Sequence, residues 1–313
     1  MSTLIGYHEI SDLIHTTPPL LMVDRLEVAD DGNSGRGMKA ASMDEEFFQG
    51  HFPGAPIMPG VLQVAGMLQV AEALLRRRAG TAAGLFAWLK SLRRVKFRNP
   101  VFPGDRLVFE VELGETEQSG GCNVKGKAMV NGKVTCQGNF VLDLVDPASL
   151  LSSTQESIPD SSDVPEVDQE LAFDTSALMD IIPHRYPFFL IDRVLRLDAE
   201  GGSALALKNV TGNEPFFRAV TFPFMPAYLQ VEAAAQAGCA VALKVPGNED
   251  KLGYFMSIDE AVFLKPICPG DQVLIDLAMI GRGGRFGVGK ATLSVDGSPV
   301  SQATVKFAIV DRS

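Results

Sequence analysis

The sequence predicts an α+β chain made of two copies of one unit, each a curved antiparallel sheet closed around a single buried helix. Three observations carry this. First, the chain repeats itself once. HTTPPLLMVDRL (15–26) matches PHRYPFFLIDRV (183–194), and DEEFFQ (44–49) matches NEPFFR (213–218). MPGVLQVAGMLQ (58–69) matches MPAYLQVEAAAQ (225–236), VKFRNPVFPGDRLVFEVEL (95–113) matches AVFLKPICPGDQVLIDLAM (261–279), and VNGKVTCQGNFVL (130–142) matches VDGSPVSQATVKF (295–307). Five matches in one order, at separations of 165 to 169, mark a tandem duplication of a unit of about 140 residues. Second, the run Val61, Leu62, Val64, Ala65, Met67, Leu68, Val70 is apolar on every side of a helix, which belongs in a core and not on a surface. Third, segments such as LVFEVEL and VLIDLAM alternate apolar and polar residues, and Pro-Gly-Asp, Asn-Gly and Asp-Gly turns separate them.

Each copy reads in the same order. A short helix (Tyr7–Leu13; Thr175–Ile181) precedes a strand through the VDR or IDR segment. A Gly/Pro-rich loop then feeds the long helix, about 60–78 and 227–244, and several strands close the unit. Residues 1–145 make the first domain and 171–313 the second. Between them 146–170, DPASLLSSTQESIPDSSDVPEVDQE, is rich in Ser, Pro and acidic residues with no sustained apolar period, so it reads as a flexible linker.

Composition narrows the functional classes. Of 313 residues, 46 % are hydrophobic and 21 % charged, as in a soluble globular protein. The opening MSTLIGYHEISDL has no basic region followed by an apolar core, so no signal peptide is expected. Gln63, Gln69 and Glu72 interrupt the most apolar run, which argues against a membrane span. Cys122, Cys136, Cys239 and Cys268 lack metal-ligand spacing and read as free thiols of a reducing cytoplasm. The net charge of −10 argues against a nucleic-acid partner. Chemistry points elsewhere, to His51 in the turn GHFPG (50–54), just before a helix that starts near Gly60. An imidazole beside a helix N-terminus suits proton transfer, although a histidine that only caps a turn has the same local sequence.

With PHRYPFFLIDRV, NEPFF, GHFPG followed by MPGVL, and P-x-x-P-G-D in view, the chain resembles the β-hydroxyacyl-acyl-carrier-protein dehydratases of bacterial fatty-acid synthesis. The resemblance covers both copies and leaves out only the linker. It implies two hotdog domains paired edge to edge as a pseudo-dimer. It also implies a site between them, made of a histidine from one hotdog and a carboxylate from the other. The family carboxylate falls three residues after PGVL. In the first copy that position is Ala65, so this copy has the histidine and lacks the acid. In the second copy it is Glu232, but FFRAVTFPFMP replaces the GHFPG segment and no histidine follows His184. The losses are complementary. A composite site pairs His51 with Glu232 and is whole, while the other site has lost both groups.

The resemblance further implies dehydration of a (3R)-3-hydroxyacyl thioester to a trans-2-enoyl thioester. No cofactor or metal is expected, and the acyl group rides on the phosphopantetheine of an acyl carrier protein. His51 then takes the C2 proton and Glu232 protonates or orients the leaving hydroxyl. Burial in VEAAAQAG should raise the Glu232 pKa. The Gly60 backbone N–H is the candidate oxyanion donor, and Gln236, one helical turn after Glu232, is a candidate partner in substrate binding. His184 reads as structural, and His8 and His15 as surface or packing residues. Basic residues cluster in the first copy, and Arg76, Arg77, Arg78, Arg93, Arg94 and Lys96 are candidates for docking an acidic carrier. Two other functions stay open: a hotdog thioesterase, and a non-catalytic acyl or carrier binding module. Family members assemble as three pairs, so this fused pair stands alone or forms a trimer.

Overall fold

The computed structural model describes residues 2–80, 84–118, 120–151, 173–248, 251–283 and 285–311. The first half runs β1 (Thr3–Ile5), α1 (Tyr7–Leu13), β2 (Arg25–Val28), β3 (Ser34–Ala40), α2 (Phe47–Gly50), α3 (Gly60–Ala79), β4 (Phe86–Phe97), β5 (Arg106–Thr116), β6 (Cys122–Val130) and β7 (Lys133–Val145). After a one-turn helix α4 (Pro147–Leu151), the second half runs α5 (Thr175–Ile181), β8 (Arg193–Asp198), β9 (Ser203–Asn209), a 3₁₀ turn (Pro215–Ala219) and α6 (Ala227–Leu243). It closes with β10 (Lys251–Phe263), β11 (Gln272–Gly283), β12 (Phe286–Val295) and β13 (Ser298–Asp311). The strands expected through VDR and IDR start at the arginine itself, Arg25 and Arg193. The interdomain linker expected at 146–170 opens with α4, and 152–170 lie outside the described residues.

Among the described residues, thirteen strands form one antiparallel sheet, β1-β2-β3-β5-β6-β7-β4-β10-β13-β12-β11-β9-β8. The halves join where β4 pairs with β10, in the register Lys96↔Ser257, Arg93↔Glu260 and Ser91↔Val262. Each half wraps its sheet around its long helix, the hotdog arrangement, and α3 and α6 touch across the junction.

The helices lie close to the sheet because small residues let them. A Cβ on Gly66 of α3 would sit 2.3 Å from the Phe109 ring of β5, so the ring packs against bare helix backbone. Helix α3 ends where Gly80 adopts φ 71° and its N–H bonds the Arg76 and Arg77 carbonyls. Helix α6 is buried almost throughout, from Tyr228 to Leu243. The core is continuous across both helices, with Leu62, Met67, Phe109 and Phe140 on one side and Val231, Ala237, Ile275 and Leu277 on the other.

One polar device recurs. Gln69 donates to the Leu20 carbonyl at 2.7 Å and accepts from the Met22 N–H at 2.7 Å. Gln236 makes the matching pair with the Phe188 carbonyl and the Leu190 N–H, both at 2.9 Å. Each glutamine ties the loop before a short strand to the central helix and satisfies buried backbone groups there.

Candidate active site

His51 caps the C-terminal end of α2, and its backbone N–H bonds the Phe47 carbonyl. The loop closes on itself because the Ile57 N–H bonds the His51 carbonyl at 2.9 Å. The His51 Nδ1 lies 2.7 Å from the Ile57 carbonyl oxygen. A carbonyl only accepts, so Nδ1 carries the hydrogen and Nε2 presents a lone pair. Gly50 precedes it with no side chain because the second half passes there. A Cβ would lie 2.1 Å from the Arg185 carbonyl oxygen, and the Arg185 N–H donates to the Gly50 carbonyl at 2.9 Å. The two-fold related bond joins Thr17 N–H to the Ala219 carbonyl.

Glu232 arrives from the second turn of α6 and is buried. His51, Glu232 and His184 each place one nitrogen or oxygen atom within 4.8 Å of the other two. The imidazoles of His51 and His184 meet edge to face, with centroids 5.4 Å apart. The structure thus brings together the two groups expected to pair across the halves. It adds His184, which the sequence had marked as structural. His184 Nε2 lies 3.4 Å from Glu232 Oε1, and Gln236 donates to the same oxygen at 3.1 Å. The signal for His184 was its place in PHRYPFF, but no local pattern shows that this loop folds onto α6.

The electrostatics of Glu232 correct the sequence-based expectation. Burial alone would raise its pKa. The hydrogen bond and charge of His184 come first, with smaller contributions from His51 and the Gln236 amide, and together they outweigh burial and hold the carboxyl below the usual carboxylate value. Glu232 is therefore a carboxylate at rest and not a protonated acid. His51 is lowered to about 4, first by burial and then by the neighbouring His184, so its imidazole is neutral at pH 7.

A cavity of about 180 Å³ opens on these groups. Gly60 lines it beside Phe97, and a Cβ at Gly60 would sit 2.8 Å from the Phe97 ring. Glycine there is demanded by this ring as well as by any approach to the helix N-terminus. No side chain caps that terminus, so the first amides of α3 have no acceptor within the helix. Phe255, Ala235, Cys239 and Phe307 supply the apolar wall. Cys239 follows Glu232 by seven residues and shares its helix face, a spacing visible in the sequence. Gln236 also lines the cavity, but its amide is committed to Phe188, Leu190 and Glu232, so it holds the acid in place.

The basic residues divide. Arg93, Arg94 and Lys96 are exposed on β4, and Arg98 lines the cavity. Arg76, expected to dock a carrier, is buried instead. It pairs with Glu72 at 2.9 Å, and its guanidinium reaches His15 Nδ1 and the Leu85 carbonyl. Arg77 and Arg78 are exposed, but about 26 Å along α3 from Gly60, at 1.5 Å per residue.

The two-fold related position has no counterpart of this site. Thr16 and Ala65 stand where His184 and Glu232 stand in the other, and a smaller cavity of about 90 Å³ remains there. Phe222 and Phe224 pack on Phe86 at its edge, with centroids 5.4 and 5.2 Å from that ring.

Comparison with known proteins agrees with this architecture. A family profile described as a FabA-like domain matches residues 15–139 and again 182–304. The chain is 41 % identical over 141 residues to the 3-hydroxyacyl-[acyl-carrier-protein] dehydratase FabZ of Bacillus cereus (strain AH820), over 44 % of this chain and 97 % of that protein. Among solved structures, the dehydratase domain from the CurJ module of the curacin polyketide synthase superposes with a TM-score of 0.62 at 13 % identity, covering 93 % of this chain and 96 % of that one. A putative thioesterase from Novosphingobium aromaticivorans DSM 12444 also superposes, with a TM-score of 0.54 at 16 % identity, covering 90 % of this chain and 97 % of that one. At such identities these two likenesses establish a shared double-hotdog fold and leave the chemistry to the site. With both halves matched by one family profile and one half-length relative aligned almost end to end, the chain belongs to the FabA-like family as two such domains in tandem.

Proposed function

We propose that the chain dehydrates (3R)-3-hydroxyacyl thioesters to trans-2-enoyl thioesters, at one composite site built from both halves. The observation that carries this reading is the meeting of His51 and Glu232 across the junction, at a cavity with an apolar wall. The relatedness to FabZ supports the same reaction class.

The residues divide the chemistry as follows. Neutral His51 takes the C2 proton on Nε2 while Ile57 holds the ring through Nδ1. The negative charge that develops on the thioester oxygen faces the N-terminus of α3, where the Gly60 N–H is the donor. Glu232, ionised at rest, accepts a hydrogen bond from the C3 hydroxyl and orients it. As the C3–O bond breaks, the proton on His51 passes to the departing oxygen as water. The C2 proton thus ends on the leaving group, and both side chains return to their starting states. No cofactor enters this scheme.

The acyl group is delivered on the phosphopantetheine arm of an acidic carrier protein that docks on Arg93, Arg94, Lys96 and Arg98. Arg98 lines the cavity and the exposed Arg93, Arg94 and Lys96 precede it on β4, whereas Arg77 and Arg78 lie at the far end of α3 and take no part. Charge reversal at Arg94 and Lys96 should raise KM for carrier-bound substrate several-fold and leave a small thioester analogue unaffected. Equal effects on both substrates would remove the docking surface.

Incubation with a 3-hydroxyacyl thioester separates the three functions. An enoyl thioester supports dehydration, a free thiol marks a thioesterase, and unchanged substrate marks a binding module. His51→Ala and Glu232→Ala should each lower turnover by about two orders of magnitude or more. Near-full turnover in Glu232→Ala would take the carboxylate out of the mechanism.

A further inference from the structure

His51, His184 and Glu232 form a set of two imidazoles and one carboxylate, with one ligand-type atom of each within 4.8 Å of the others. Three protein ligands of this composition bind zinc and similar ions while leaving a further coordination position open. We propose that this cluster is a binding site for one divalent transition-metal ion of the zinc class, and that the ion blocks the cavity.

The surroundings of His51 and Glu232 are those of built metal ligands. A ligating imidazole ordinarily gives its other N–H to a backbone carbonyl or carboxylate, which fixes the tautomer and aims the lone pair. His51 has this arrangement, with Nδ1 on the Ile57 carbonyl at 2.7 Å and Nε2 left for a ligand. Glu232 is held by Gln236, itself anchored to the backbone of Phe188 and Leu190. His184 is buried, and its Nδ1 has no hydrogen-bond partner among the described residues. Its Nε2 lies 3.4 Å from Glu232 Oε1 and is the atom placed to share an ion with that carboxylate, with the ring hydrogen then on Nδ1.

The ion is not a cofactor for the proposed reaction. It takes the His51 lone pair that would otherwise receive the C2 proton. Nothing is oxidised or reduced: three lone pairs replace metal-bound water, and a hydrogen on His184 Nε2 gives way to the ion, passing to Nδ1 or to solvent. The stoichiometry is one ion per chain, because the two-fold related position has Thr16 and Ala65 in place of His184 and Glu232. His15 and Glu72, beside that second cavity, are already engaged by Arg76.

The test uses the full chain, stripped with a chelator and titrated with Zn²⁺ by calorimetry and with Co²⁺ by visible absorption. One equivalent should bind, with a Co²⁺ spectrum of nitrogen and oxygen ligands. His184→Gln and Glu232→Gln should each weaken binding about tenfold or more and erase that spectrum. His8→Ala should leave it unchanged. Circular dichroism identifies any variant that has lost its fold, and the other variant then decides. Binding that ignores both substitutions, or that is absent at tens of micromolar metal, overturns the site. The blocking role rests on the proposed function, but the binding arm does not. An inert chain that still binds one ion at these residues sinks the dehydratase reading and supports the metal site. An active chain that binds none does the reverse. Zinc that binds at these residues without slowing turnover overturns the blocking role.

Discussion

At the residue scale the centre of interest is a neutral imidazole beside a carboxylate that stays ionised despite burial. His51 sits at about 4, against about 6.5 for an ordinary imidazole, because its charged form loses hydration. If His51 is the base, kcat/KM should hold from pH 7 down past 6 and fall only near pH 4. A pH profile with its acid limb at 6.5 would assign the base elsewhere. The same shift links stability to pH. Between about 6.5 and 4 the unfolded chain binds the protons that folded His51 and His15 refuse, so these groups make stability fall as pH drops through that window. Above 6.5 they add no slope. Urea midpoints at pH 7 and pH 5 measure the difference.

At the element scale the two long helices are positioned by what is missing from them. Gly66→Ala places a Cβ 2.3 Å from the Phe109 ring, and neither helix nor ring yields easily in a close-packed core. The expected loss is about 1–3 kcal/mol, read from urea unfolding with an unchanged m-value. Gly50→Ala acts on a different element. Its Cβ would meet the Arg185 carbonyl at 2.1 Å, which pries the His51 loop from the second half. Activity should fall more than stability does, since the contact carries His51 toward Glu232 but holds little of the core.

At the scale of the whole molecule one chain holds two hotdog halves side by side in one sheet. The β4–β10 pairing makes one sheet of both halves, and the groups of the site come from both sides of it. A mixture of a His51→Ala chain and a Glu232→Ala chain should therefore show no more activity than the two apart, because His51 and Glu232 meet inside one chain. Recovery on mixing would mean that halves exchange between chains. The second position, with Ala65, Thr16 and the Phe222–Phe224 loop, holds only a smaller cavity of about 90 Å³.

Much of this was legible before any coordinates. The duplication, the short helices and the long apolar helices are patterns along the chain, because periodicity and internal repetition are local properties, and the family resemblance adds the complementary loss of histidine and acid. The hidden part shares one cause: it depends on which segments distant in sequence come to lie together. Arg76 reads as a surface cation in a basic run, yet it is buried against Glu72 and His15, and only the docking of α1 and the loop after it onto α3 decides that. Likewise, Glu232 in an alanine-rich helix reads as an acid kept neutral by burial. Its ionised state follows first from His184, 48 residues away in sequence but folded to 3.4 Å from the carboxylate. Sequence by itself determined that one histidine and one carboxylate survive in different copies. Tertiary structure alone decided that a third group joins them, and that the acid is charged, because a pKa is set by neighbours in space.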